Sequence, residues 1–358
     1  MNQKILSAAI AGALAGSMAF AANADVTLYG QVDLSLDARD IDGASDDINM
    51  NSNQSAIGVK GSEDLGNGLK AIFLLEYEID PSGSDTSAST LYTGRDQWIG
   101  LQGSNWGKLR FGTASTTYKA HSAAIDPFYR TSLQGRNNGL QSRLHSQAGA
   151  NGEGRMTNAI HYDTPDFNGF GASANYSFDD TCNAASGSGC VDDDAYSLGA
   201  KYSNGPLLAY VSYVTSDKGG DDDATQIGGK YSFGDFAVYA QYEIDGGLIA
   251  GNTTTVNQSN DGADLWHIGG SFTMGNAMLY AAYGQGDDDS SATFNTEYDA
   301  WTIAGMYNFS KRTMAYAGFN QVSCDAGGWS NNATSSCANV GASGGENDIF
   351  TLGMRHKF

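Results

Sequence analysis

Ionisable and reactive side chains are sparse in this 358-residue chain, and their spacing excludes most chemistry before it suggests any. His121, His145, His161, His267 and His356 are scattered. They form no H-E-x-x-H zinc pattern, and no nucleophilic serine sits on a strand-to-helix elbow. Strings resembling G-x-G-x-x-G are expected by chance in a chain with 47 glycines. No enzyme activity, cofactor or metal site is therefore expected. What the charges can do is set a field. Residues 116–156 carry Lys119, Asp126, Arg130, Arg136, Arg143, Glu153 and Arg155, net positive by three, although the chain as a whole has a formal charge of -21. A locally basic stretch in an acidic protein can orient dipolar solutes and bias ions.

Two other groups of residues have a bland and a specific reading. The runs Asp179-Asp180, Asp192 to Asp194, Asp221 to Asp223 and Asp287 to Asp289 are expected in long outward loops. Oxygen ligation of divalent cations is one reading. Solvated, mutually repelling loop charge is the favoured one, because EF-hand spacing is absent. The cysteines fall into two local pairs, Cys182 with Cys190 and Cys324 with Cys337. In an exported chain a local disulfide clipping each loop is the better reading, and cross-pairing stays open.

The elements that must position these charges repeat with period two. Val26, Leu28, Val32, Leu34 and Leu36 alternate with Thr27, Tyr29, Gln31, Asp33 and Ser35. Phe236, Val238, Tyr242 and Ile244 stand opposite Gln241, Glu243 and Asp245. One apolar and one polar face along each segment is a strand signature. Sixteen such segments are expected, at 25–38, 54–63, 69–79, 95–103, 109–115, 157–163, 170–178, 195–203, 207–216, 224–233, 236–245, 264–274, 277–286, 298–309, 313–322 and 347–358. Their connectors alternate between short turns, such as 64–68, 104–108, 234–235 and 275–276, and long polar loops, such as 39–53, 80–94, 116–156, 246–263 and 323–346. All four prolines lie in connectors or at a strand boundary, as ladders require.

No apolar run after the N-terminus approaches the roughly 20 residues that a membrane helix needs. Short turns at one end and long loops at the other, with an even strand number, fit a closed antiparallel transmembrane barrel. Aromatics near strand ends (Tyr176, Phe178, Tyr231, Phe233, Tyr307, Phe309) suit interfacial girdles. Residues 1–24 read as a secretory leader: Lys4, an apolar stretch to Phe20, and Ala22-Asn23-Ala24 before the cut. Residues 25–358 form one domain. Only 16% of residues are charged and Lys, Arg and Glu are scarce, which disfavours a helical bundle, while net acidity disfavours a nucleic-acid partner. Alternation turns Lys60, Lys70 and Arg110 inward, with Asp33, Glu76 and Glu78.

Five stretches together are similar to the Gram-negative general porin family, in its neisserial and other β-proteobacterial branch. They are VTLYG at 26–30, GVKGSEDLGNG at 58–68, WIGLQG at 98–103, GKLRFG at 107–112 and GMRHKF at 353–358, and they bracket nearly all of the chain beyond the leader. The resemblance implies a sixteen-stranded all-β barrel in the outer membrane, among lipids and lipopolysaccharide. It also implies a homotrimer, a terminal Phe358 recognised during assembly, and a third loop folded inward to form the constriction. On that basis Lys60, Lys70, Arg110 and Arg130 are expected on the positive side of the constriction, with Asp126 and Glu153 on the negative side. The expected function is passive diffusion of ions and small hydrophilic solutes, with a lean toward anions. A substrate-selective channel of the same build and a non-conducting surface adhesin are the alternatives.

Overall fold

The structure, a computed structural model, describes residues 24–43, 46–83, 93–142, 144, 154–178, 194–216, 222–249, 263–291, 294–325, 337 and 344–358. Seventeen strands occur among them, all in one sheet. They are β1 Ala24–Ile41, β2 Asp47–Ser52, β3 Ala56–Gly66, β4 Leu69–Glu78, β5 Thr93–Gly103, β6 Gly107–Ser115, β7 Arg155–Asp163, β8 Phe170–Ser177 and β9 Ala195–Asn204. The rest are β10 Leu207–Ser216, β11 Asp222–Phe233, β12 Phe236–Gly246, β13 Ala263–Met274, β14 Ala277–Ser291, β15 Phe294–Asn308, β16 Thr313–Cys324 and β17 Gly345–Lys357. Each expected segment matches a strand.

The extra strand has a local cause. β1 pairs with β3 along Ala24 to Gln31 and with β2 along Leu34 to Arg39, both antiparallel. β2 and β3 are thus two halves of one wall strand, broken at residues 53–55, where Gln54 adopts φ 57°. The Asn53 amide turns inward there, donating to Asp33 Oδ1 at 3.0 Å and Ser35 Oγ at 2.9 Å. The barrel therefore has sixteen walls. The expected loop at 39–53 shrinks accordingly, since most of it is strand. The acidic runs shift too: Asp222 and Asp223 begin β11, and Asp287 to Asp289 continue β14 rather than lying in a loop. Of the other acidic runs only Asp194 is described, and it accepts a hydrogen bond from the Tyr176 hydroxyl.

β1 also pairs with β17, from Gln31 opposite Lys357 to Ile41 opposite Asn347, which closes the sheet. Closure leaves no strand edge to face lipid. Phe358 completes the seam by exchanging backbone hydrogen bonds with Gly30 at 3.2 and 3.1 Å. Its ring lies where a side chain on residue 30 would stand, so only glycine fits there.

Outward residues such as Leu198, Val211, Ile227, Val238, Ile268, Leu279 and Ile303 are exposed. That suits a hydrocarbon surround rather than water. Aromatic contacts border this band: Phe170 with Tyr202, and the stack Phe233, Phe236 and Phe272, at the short-turn end; Tyr196 with Tyr213, and Trp266 with Tyr283, toward the other. Cys324 at the end of β16 is disulfide-bonded to Cys337, clipping the last long loop. Cys182 and Cys190 lie outside the described residues, as does the expected leader except Ala24.

Candidate pore constriction

Between β6 and β7, residues 116–142 and 144 run inside the barrel. This segment opens with helix α1, Thr117–Ala123, whose first turn is capped by the Thr116 side chain accepting from the Lys119 amide. A short 3-10 turn follows at Gly135–Asn137. Barrel interiors of this size are otherwise water-filled, so the segment must bring its own adhesive face. It carries Tyr118, Ile125, Phe128, Leu133, Leu140 and Leu144, all buried. Opposite them the lumen wall supplies Tyr239, Tyr280, Tyr298 and Tyr316, also buried. The Phe128 ring lies 5.5 Å from that of Tyr280 and 6.5 Å from that of Tyr316. Tyrosine suits such a bed, being apolar in body with a hydroxyl that can be paired; the Tyr298 hydroxyl donates to the Gly139 carbonyl at 3.0 Å.

Close approach needs small residues at both surfaces. A side chain at Gly318 of β16 would stand 2.6 Å from Leu133 Cδ1, and one at Gly199 of β9 would stand 2.5 Å from Thr117 Cγ2. Gly139 sits at φ +76° against the wall at Ala300. Polar anchors complete the seat. Tyr118 Oη and Ser142 Oγ both donate to Glu243 Oε2, at 2.9 and 2.6 Å. Thr117 donates twice to Asn175 Oδ1, at 2.7 and 2.9 Å.

The tip of the segment crosses to the other wall. Arg130 Nη2 reaches Glu76 Oε1 at 3.0 Å, and Gln54 Nε2 donates to Gln134 Oε1 at 3.1 Å. Arg355 of β17 pairs with Asp33 at 2.7 Å and donates to the carbonyls of Tyr129 and Arg130. Glu76 is the hub of the wall side. It also accepts from Arg95 Nε at 2.6 Å and from Tyr29 Oη at 2.9 Å, while Arg95 Nη1 holds Glu78 at 2.6 Å. Nearby, Arg155 pairs with Asp96 at 2.9 Å. Arg136 is buried with its guanidinium 5.0 Å from the Tyr129 ring centroid.

Lys119 lies in the same seam. Burial pushes its ammonium well below the ordinary lysine range, and the charges of Arg136, Arg155 and Arg95 push the same way against Asp96. Four guanidiniums (Arg95, Arg130, Arg136, Arg155) thus meet three wall carboxylates (Glu76, Glu78, Asp96), with Lys119 disfavoured as a charge beside them. Asp126 stands apart. Its carboxylate folds back into the segment, accepting from the Phe128 amide at 2.9 Å and the Gly135 amide at 2.9 Å. Burial raises it to about 6, against the pull of those two donors. His121, held by Ser212 Oγ at 2.8 Å, is lowered by burial to about 4.

The expected wall bases line the lumen below this level. Counting inward positions down β4 from Glu76 toward the short turns, Lys60 lies opposite Leu74, Arg110 at the level of Ile72, and Lys70 one position further. Arg110 pairs with Asp163 at 2.8 Å and lies 5.3 Å over the Trp98 ring. Glu153 falls outside the described residues. Alternation could not single out Arg95 and Asp96, because a register shift between β4 and β5 at Leu75 and Tyr77 turns adjacent residues into the same seam. The tyrosine bed was visible only as strand-favouring aromatics.

A family description, "Gram-negative porin", matches residues 7–327. Among similar proteins, an outer membrane porin protein of Bordetella pertussis is 33% identical over 236 residues, covering 60% of this chain and 59% of that one. A major outer membrane protein P.IB of Neisseria meningitidis is 28% identical over 361 residues, covering 94% and 96%. Among solved structures, an anion-selective porin from Comamonas acidovorans superposes with a TM-score of 0.73 at 24% identity, covering 94% of this chain and all of that one. With the closed barrel, the lipid-facing band and the inward segment, these matches agree on one class: the chain belongs to the Gram-negative porin family and is an outer-membrane channel for small solutes.

Proposed function

We infer that the channel is a homotrimer that passes small hydrophilic solutes down their gradients and prefers anions. The carrying observation is the excess of bases over carboxylates where the inner segment meets β4 to β7. Each wall carboxylate there is already bound by a guanidinium. The lysines below, Lys60 and Lys70, make no ion pair among the described residues. In a narrow, partly desolvated passage such an excess draws anions. The described residues of the acidic runs, Asp222 and Asp223 on β11 and Asp287 to Asp289 on β14, lie at the outer ends of those strands, further from the narrow part. The aromatic contacts of both girdles lie on β8 to β16, while Val26, Leu28, Ile99 and Leu101 offer an aliphatic face on the other side, which supports burial against neighbouring subunits. Removal of a leader at 1–24, recognition of Phe358 during assembly, a Cys182–Cys190 clip and a constriction role for Glu153 belong to the same reading.

The deciding measurement is the reversal potential of the reconstituted protein under a potassium chloride gradient. Chloride preference is the expected sign. Replacing Arg130 by Ser together with Lys60 by Gln should move the potential toward zero. A cation-selective wild type, or a variant with unchanged potential, would sink this assignment.

A further inference from the structure

Just below the constriction the lumen wall changes character. Barrel lumens of this family type are polar, yet two successive inward positions on β4 are Ile72 and Leu74. Leu74 pairs with Trp98 on β5 and with Lys60 on β3. The next row places Gly100 between Ile72 and Arg110, so the floor there is bare backbone. A side chain at residue 100 would strike the Arg110 stem at 3.1 Å. The result is a cavity of about 390 Å³ open to the lumen, with an apolar floor of Ile72, Leu74 and Trp98 and a rim of Lys60, Lys108 and Arg110. That volume is within the range of small-molecule sites.

The charges at this cavity are unevenly committed. Asp163, also lining it, is engaged with Arg110 at 2.8 Å, and Asp25 lies at its edge. Lys108 makes no ion pair among the described residues, and the Lys60 ammonium rests 5.1 Å from the Tyr29 ring centroid. Three bases against two carboxylates leave a net positive rim beside a flat hydrophobic floor. Ordinary inorganic anions gain nothing from Ile72, Leu74 and Trp98, and a neutral hydrocarbon gains nothing from the lysines. An occupant that uses both features has one anionic group on a planar apolar body.

We propose that this cavity is a subsite for small arylcarboxylates on their way through the channel. The proposal rests on the channel reading and adds a solute class to it. The carboxylate is held by Lys60 or Lys108, with the ring on Leu74 and against the Trp98 and Arg110 pair, where ring stacking and cation–π contact both contribute.

The test uses the full-length protein in planar bilayers, with benzoate and acetate as probes of equal charge. Benzoate is expected to reduce the potassium chloride current saturably, whereas acetate at equal concentration does not. The variant Ile72→Ser with Leu74→Ser gives both lumen-facing positions the polar character usual for a barrel interior, and the lipid-facing side of β4 is untouched. This variant should raise the half-blocking benzoate concentration about tenfold, the size expected for losing such apolar contacts, while ion conductance persists. Benzoate that behaves like acetate, or a variant blocked as strongly as wild type, overturns the subsite and leaves the channel standing. A barrel with no ion current would instead overturn the channel reading. The subsite is then decided by saturation-transfer NMR of benzoate on the detergent-solubilised protein, where the signal must fall in the double variant or the proposal is lost.

Discussion

Asp126 sits among bases yet points away from them, into the bend made by Phe128 and Gly135. Its raised value has a defined consequence. Above about pH 6 the carboxyl is ionised and subtracts one charge from the basic seam; below it the seam is more positive. Anion preference should therefore weaken as pH rises from 5 to 7, and Asp126→Asn should remove that step. The linked stability change has the same window. The folded-state value lies above the ordinary carboxylate range, so the protonated form favours the seated segment and its contribution declines from about pH 4 to 6, then stays flat. His121, lowered to about 4, does not titrate across the 5 to 7 range. A reversal potential that drifts equally in wild type and Asp126→Asn would assign the change to another group.

At the scale of elements, the inner segment is held by shape as much as by charge. It packs Phe128, Leu133 and Leu140 on wall tyrosines, and Gly318 lets Leu133 come close enough to seat. Gly318→Leu should unseat the segment, with an overpacking cost of about 1–3 kcal/mol. The readout is single-channel conductance, expected to rise with larger fluctuations while the barrel still migrates as a folded species on unheated gels. Unaltered conductance would mean that the segment finds another seat. The same scale explains what was readable from the sequence. Strand positions and facing followed from alternation because lipid and lumen demand different residues at every second position. That is why the pattern alone places Lys60, Lys70 and Arg110 inward. Alternation assigns a residue to a face, but not to what that face touches. Tyr280 and Tyr316 therefore read as strand formers rather than as a bed for the segment. The break at 53–55 depends on Asn53 reaching Asp33 and Ser35 across the wall, and no local signal marks it.

For the molecule as a whole, formal charge is a poor guide to what crosses it. The value of -21 averages acidic outer strand ends with a basic seam at the inner segment, and the two are read by different measurements: electrophoretic mobility for the surface, reversal potential for the passage. Increasing salt should shrink the contribution of the distant rim first, because exposed charges beyond about 8–10 Å are screened at physiological ionic strength. Chloride preference measured from about 0.1 M upward should thus persist further than any effect of neutralising Asp264 or Asp287 at the rim. A chloride preference that rises strongly on rim neutralisation, and loses that gain with added salt, would locate selectivity at the mouth instead.

Arg355 joins three parts of the chain that are made at different times. It lies on the last strand, pairs with Asp33 on the first, and holds the carbonyls of Tyr129 and Arg130 at the tip of the inner segment. Narrowing of the lumen is consequently tied to the order of assembly: the tip can be locked only after the final strand has met the first. During refolding into vesicles, trypsin should keep cutting at Arg130 and Arg136 until the barrel resists unfolding in unheated detergent, and protection should never come earlier. The arginine thereby converts a finished wall into a finished filter, so an incompletely closed barrel would remain a wide and indiscriminate hole.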